Sequence, residues 1–349
     1  MFMAMTAMLI ASCSSDDVVS TNTGRAIDFR TSVGTRGAET TTANIDKFYV
    51  TAIDGANDNY FTSQEFTKDE EYFTSSPLYY WPTGTLSFYA YSPSAKDLGG
   101  TLTINGTTKT LVDFSPKKAI KDQVDFVTAY ATGTRKDEEK GVKLTFNHQL
   151  SQIQINAQNT NAGYVYKVKG VRIGEPVSKG TFNFGTPGWS WDNTNPTKAN
   201  YEIKYDAEKT LTRTAQSMMV DGEGNAMLIP QQLVAWDTEN DKDNKLKNGA
   251  YLALMIQITT KDGAQVYPAK KGDYGWAAVA IDTEWKAGNK YVYTLDFSNG
   301  AGKVDPEKQK PVDPTDPFNP GDDILGKPIK FTVEVTDWVP AVQPDINMK

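Results

Sequence analysis

The stretch I-K-F-T-V-E-V-T-D-W runs from Ile329 to Trp338. Ile329, Phe331, Val333 and Val335 are apolar, and Lys330, Thr332, Glu334 and Thr336 between them are polar. Side chains of a strand point to alternate faces, so a period of two reads as a strand with one buried face. Trp338 falls on the opposite parity, where the strand ends or a bulge shifts it.

The same pattern recurs toward the N-terminus. Ile27, Phe29 and Val33 alternate with Asp28, Arg30 and Ser32, and Phe48, Val50 and Ala52 repeat the period. So do Leu86, Phe88 and Ala90, then Val142, Leu144 and Phe146, then Ile153, Ile155 and Ala157. Further strand-rich stretches cover 165–173, 227–229, 251–258 and 291–297. Turn signals separate them: A-I-D-G-A-N-D-N at 52–59, Pro82 and Gly84, and the hairpin pair Asn105-Gly106. Long helical patterns are scarce, so the expected fold class is all-β.

The length of 349 residues predicts two domains, taking about 150 residues each. The charged stretch T-R-K-D-E-E-K-G, Thr134–Gly141, is the expected boundary between them. The expected organisation is a signal peptide over 1–12, an N-terminal segment with a removable strand over 13–36, a first domain over 37–140 and a second over 141–349. The second includes a linker over 300–328, rich in Pro and Asp, and the terminal strand 329–338. Such composition opposes compact packing and favours extended chain, so the last strand is expected on a leash. A strand there can return to its own sheet or add to the open edge of another chain.

The net charge of -7 argues against nucleic acid, whose phosphates need a basic surface. Cys13 is the single cysteine, so no internal disulfide can form. It follows an apolar run in L-I-A-S-C-S-S-D-D, Leu9–Asp17, which resembles a bacterial lipobox followed by an acidic surface tag. That resemblance implies lipid on Cys13, cleavage before it and anchoring in the outer membrane. No Lys or Arg precedes Cys13, so the basic n-region of such a leader is absent from this stretch. The apolar run is shorter than the about 20 residues a spanning helix needs.

Catalytic and metal-binding patterns are poor. With His148 the lone histidine and Cys13 the lone thiol, neither a thiol protease nor a histidine-based metal site can be built. His148 is expected to be structural. D-T-E-N-D-K-D-N-K, Asp237–Lys245, has acids in alternation, but Lys242 stands where a calcium loop needs glycine. D-G-E-G-N, Asp221–Asn225, reads as a turn because no phosphate-binding Gly-Lys-Ser pattern follows. No enzyme activity, cofactor or metal is expected. Trp189 and Trp191 of G-W-S-W, with Tyr79–Trp81, are the candidate ligand aromatics; packing is the commoner fate of such rings.

Taken in order, several stretches resemble the fimbrillin family, the subunits of type V pili, over most of the chain after Cys13. They are the lipobox with its tag; I-D-F-R-T-S-V-G-T-R-G, Ile27–Gly37; and Y-Y-W-P-T-G-T-L-S-F-Y-A-Y-S-P, Tyr79–Pro93. L-T-F-N-H-Q-L-S-Q-I at 144–153, M-L-I-P-Q-Q at 227–232 and the terminal strand complete the series. The resemblance implies two transthyretin-like β-sandwich domains. It implies a surface lipoprotein of a Gram-negative anaerobe that joins other fimbrial subunits by donor-strand complementation, with a host protein or glycan as a further partner. An arginine-specific protease would cut after Arg36, with Arg25 and Arg30 as rival sites. The strand Ile27, Phe29, Val33 would leave, and Ile329, Phe331, Val333 and Val335 of a neighbour would enter. Three buried side chains at about 1.5–3 kcal/mol each put about 4–8 kcal/mol of apolar burial on the departing strand. Anchor and tip members skip the cut. The alternative from the residues is a monomeric glycan-binding lipoprotein of the outer membrane, with exposed aromatics and no strand exchange.

Overall fold

The structure is a computed structural model that describes residues 24–33, 45–219, 224–237, 249–308 and 317–337. The chain is all-β, with one α-helix of four residues, Ala95–Leu98, among the described residues. No helix there is long and apolar enough to cross a membrane.

Seven strands close into a barrel: β1 (Phe29–Val33), β2 (Lys47–Ile53), β3 (Asn59–Asp69), β4 (Tyr72–Ser75), β5 (Leu86–Ser92), β8 (Val127–Gly133) and β9 (Val142–His148). Around the barrel they run β1-β4-β3-β2-β5-β8-β9 and back to β1. Apolar positions two apart fill its interior: Phe48 and Val50, Leu86 and Phe88, Leu144 and Phe146 are fully buried. The strand periods read from the sequence are therefore faces of this core. Closure removes open edges from the first unit.

Two sheets make the second unit. One joins β10 (Ser151–Gln158), β15 (Gln216–Ser217), β16 (Ala226–Leu228), β20 (Asn289–Asp296) and β22 (Lys330–Asp337). The other joins β11 (Tyr164–Gly174), β14 (Tyr201–Thr210), β17 (Tyr251–Thr260), β18 (Gln265–Tyr267), β19 (Gly275–Ala280) and β21 (Lys303–Val304). One core lies between them, with Ile153 and Ile155 from the first sheet and Leu252, Leu254 and Ile256 from the second.

The charged stretch 134–141 is not where the chain changes units. It is the turn between β8 and β9, which pair with each other in the barrel. The chain crosses at Gln149–Leu150, between β9 and β10. Nor are the two halves separate in sequence. β12 (Gly180–Asn183) and β13 (Gly188–Ser190), from the second half, complete a four-stranded sheet with β6 (Thr101–Ile104) and β7 (Lys109–Phe114). That sheet covers the outer face of the barrel, burying Ile53 and Tyr91 with Phe126, Phe182 and Phe184.

The linker is docked on both sides of its undescribed middle, 309–316. Val304 N–H donates to the Asp322 carbonyl at 2.9 Å, and Ile324 N–H donates to the Gly302 carbonyl at 2.8 Å. Ile324 is fully buried, and Lys303 pairs with Asp323 at 3.0 Å. Those flanks are packed rather than extended away from the body, because the prolines and acids are interrupted by apolar anchors at Phe318 and Ile324.

Candidate functional site

Among the described residues, the first strand closes the barrel and the last lies at the edge of its sheet. β1 lies between β4 and β9 and closes the barrel. It pairs in parallel with β9 along all five residues, from Phe29↔Val142 to Val33↔Phe146. Its pairing with β4 rests on one residue pair, Phe29↔Phe73. The strand is thus well held on one side and barely on the other.

Ile27 and Phe29 plug the interior, at 1% and 0% exposure. The Phe29 ring meets Phe66, Phe88 and Phe48 at centroid distances of 4.7, 5.1 and 6.0 Å, all edge-on. Asp28 departs from the expected alternation: it is buried too, and its Oδ1 has no hydrogen-bond partner among the described residues. Burial raises its carboxyl above the ordinary carboxylate range, against the opposing effect of Arg25 and Arg30. The chain passes close beside it at Gly141, whose φ is +65° and where a Cβ would stand 2.6 Å from Asp28 Oδ1. β1 therefore carries a polar cost inside the barrel together with its apolar gain.

Of the sequence-predicted cleavage sites, two are described. Arg25 is exposed and donates to the Glu139 carbonyl at 3.4 Å. Arg30 lies within β1, exposed, with its guanidinium 6.0 Å from the Tyr72 ring centroid. Arg36, Gly37 and Cys13 lie outside the described residues, as does Trp338; the strand backbone includes Val33 and nothing is described of its side chain.

β22 returns to its own sheet. It pairs antiparallel with β20 along all eight residues, from Lys330↔Asp296 to Asp337↔Asn289. β20 is its sole strand partner among the described residues, so its outer edge is unpaired. Ile329 is 3% exposed, Phe331 and Val333 are half-buried, and Val335 is 51% exposed. The apolar face read from the sequence thus docks firmly at its start and hardly at its end.

The remaining candidates are structural in their contacts. Trp189 is half-buried against Phe114, Phe126 and Phe182, and its indole N–H donates to the Gln149 carbonyl at 2.7 Å. Trp191 packs on the same cluster. Trp81 is inside the barrel, with Tyr79 at the edge of that core. His148 is buried, its Nδ1 2.8 Å from Asp125 Oδ2. Among the described residues no group of three or more His, Cys, Asp or Glu can hold a metal ion. Most of Asp237–Lys245 and of the turn at Asp221–Asn225 lies outside those residues.

Sequence reading missed Arg172, the most elaborate ionic site among the described residues. On the outer face of the second sheet, its Nε donates to Glu202 at 2.7 Å and its Nη1 to Asp305 at 2.5 Å and to the Tyr251 hydroxyl at 3.3 Å. Its guanidinium lies 4.2 Å from the Trp276 ring centroid. Burial pushes the Asp305 carboxyl up, and the Arg172 cation offsets that in part. This site fastens the first residues of the linker to the sheet. The one signal in the sequence was an arginine at the polar parity of a strand, V-R-I at 171–173, which does not reveal partners 30 and 133 residues away.

Comparisons with known proteins agree with the fold. The model of a family described as fimbrillin-like matches residues 35–338. The Fimbrium subunit Fim1C of Phocaeicola vulgatus is 26% identical over 254 residues, covering 61% of this chain and 67% of that protein. The crystal structure of a fimbrial protein from Bacteroides vulgatus superposes with a TM-score of 0.62 at 16% identity, over 90% of this chain and 100% of that one.

Proposed function

From the premise that the chain belongs to the fimbrillin-like family, we propose that it is a fimbrial subunit or pilus-associated adhesin assembled at the cell surface by strand exchange. In this reading the chain is exported as a lipoprotein held in the outer membrane through Cys13. A protease then cuts after Arg36, β1 leaves, and β22 of another copy takes its place.

The observation that carries the reading is the position of β1 as the closing stave. Its loss uncovers the facing edges of β4 and β9 and empties the space of Ile27 and Phe29, worth about 3–6 kcal/mol at about 1.5–3 per side chain. Only a cut between β1 and β2 severs β1 from the body, and Arg36 is the sole arginine between Val33 and Lys47. Cleavage at Arg25 would remove the lipid-bearing segment and leave β1 in place. Cleavage at Arg30 requires a protease to enter a paired strand. Topology therefore favours Arg36 over both rivals. β22 supplies the complement: an apolar row at the same period and, among the described residues, an unpaired edge and a single neighbour to leave.

A chain ended at Gly326 tests the donor role. It is expected to be cut after Arg36 and to stay monomeric, while the full chain forms detergent-resistant ladders on an unboiled gel. Equal ladders from both chains would remove β22 as the donor.

A further inference from the structure

The outer face of the barrel carries a groove that takes no residue from β1 or β22. Phe88 and Ala90, Ala129, and Leu144 and Phe146 point into the barrel core. The intervening Tyr89 of β5, Thr128 and Tyr130 of β8, and Asn147 of β9 therefore face out. Tyr89 and Tyr130 are register partners, and so are Thr128 and Asn147. The two rings lie 5.0 Å apart at 49°. Tyr130 is 54% exposed. The turn between β12 and β13 forms a wall with Pro187.

The groove's volume is about 460 Å³, within the usual span of small-molecule sites, about 300–1,000 Å³. Gln149 sets its polar groups: buried, it donates to Thr128 Oγ1 at 2.9 Å and to the Asn147 carbonyl at 3.0 Å.

Charge selects the ligand. The chain is 23% charged, yet no Asp, Glu, Lys or Arg lines this groove, and His148, which does, is buried and held by Asp125 at 2.8 Å. The cavities beside Arg172 (with Lys270 and Asp273), around Lys118 and Glu175, and between Asp296 and Lys330 all carry charges. Lys109, 5.6 Å from the Tyr89 ring centroid, donates to the Gly106 carbonyl at 2.8 Å. No Asp, Glu, Lys or Arg of the lining offers a counter-charge to an anionic or cationic ligand. For an added peptide strand, β8 is already paired with β5 along all seven residues and with β9 at Val127 and Thr128. A sugar ring has an apolar C–H face to lie on an aromatic ring, and a rim of hydroxyls that both donate and accept. Amide and hydroxyl side chains answer both roles.

We propose that this groove binds a neutral sugar unit of a surface glycan, stacked on Tyr130 and hydrogen-bonded by Asn147 and Thr128. The site is complete in one chain and holds whether or not the subunit polymerises.

The test applies the full chain to immobilised neutral oligosaccharides built from glucose, galactose, mannose and N-acetylglucosamine, with sialylated and sulfated ones alongside. The strongest binder is then titrated. Binding to a neutral oligosaccharide is expected. Tyr130→Ala should weaken it about tenfold or more, and Asn147→Ala should weaken it too. Val112→Ser, at an exposed position on another sheet, should leave it unchanged. Both groove positions are exposed, so an unaltered thermal midpoint shows that the variants remain folded. Absence of neutral-glycan binding, preference for the acidic glycans, or binding that survives both groove substitutions would overturn the proposal. Ladder formation after the cut is read in the same variants, so loss of sugar binding with assembly intact separates this site from strand exchange.

Discussion

Phe29→Ala is expected to destabilise the barrel by about 3–5 kcal/mol, the cost of truncating a fully buried phenylalanine. Three aromatic rings surround Phe29 and are fixed by strands of their own, so the space cannot collapse easily. The barrel is one of two units, so the first transition in urea, followed by hydrogen exchange of the β9 amides, is the readout. Faster exchange in β9 is expected because β1 supplies its parallel partner. A loss under about 1 kcal/mol, below the range for a filled core position, would mean that β1 is not a structural stave. The same substitution is expected to ease strand release, since the departing strand then gives up less apolar contact.

Arg172→Met is expected to cost about 3–5 kcal/mol at pH 7, because it leaves Asp305 buried without its cation. The pH dependence follows from the direction of the Asp305 shift. A carboxyl whose folded pKa is raised binds protons more readily in the folded chain than in the unfolded one. Stability therefore falls as pH rises from the unfolded value toward the folded one. Removing Arg172 raises that pKa further, so the deficit should be smaller near pH 5 than at pH 7. Thermal melts of wild type and variant at the two pH values read this directly. A deficit of equal size at both would show that lost packing on Trp276, rather than an orphaned charge, is the cause. Replacing Asp305 by Leu in the same chain should restore most of the loss.

These cases mark how much the residues disclose. The alternation in V-K-L-T-F and I-K-F-T-V-E-V correctly marks strands with a buried face, since a period of two is a local property. What the period does not carry is the partner. β1 lies parallel to β9, more than a hundred residues on, and β10 lies parallel to β20. Such pairings leave no turn signal. For the same reason the charged stretch at 134–141 resembles a boundary, although it is a hairpin turn inside the barrel. Asp28 breaks its alternation because Gly141 brings the neighbouring turn over it.

The candidate site divides in the same way. The first and last strands were legible as strands, and their family resemblance supplied the idea of exchange. That β1 closes a barrel, and that β22 has one neighbour among the described residues, are facts of topology. Trp189 drew attention as a ligand aromatic because it is large, yet its N–H is spent on the Gln149 carbonyl. Tyr130 sits unremarked in Y-A-T-G, and only the three-stranded face around it gives it a use.

The central claim is that β1 gives way to β22 of another copy after a cut at Arg36. Its most direct test treats the full chain with an arginine-specific protease, then takes the intact mass and runs the unboiled sample on a gel. A body that begins at Gly37, has lost the β1 peptide and migrates in high-mass ladders is the predicted result. A cut body that keeps the β1 peptide bound and stays monomeric would contradict the account.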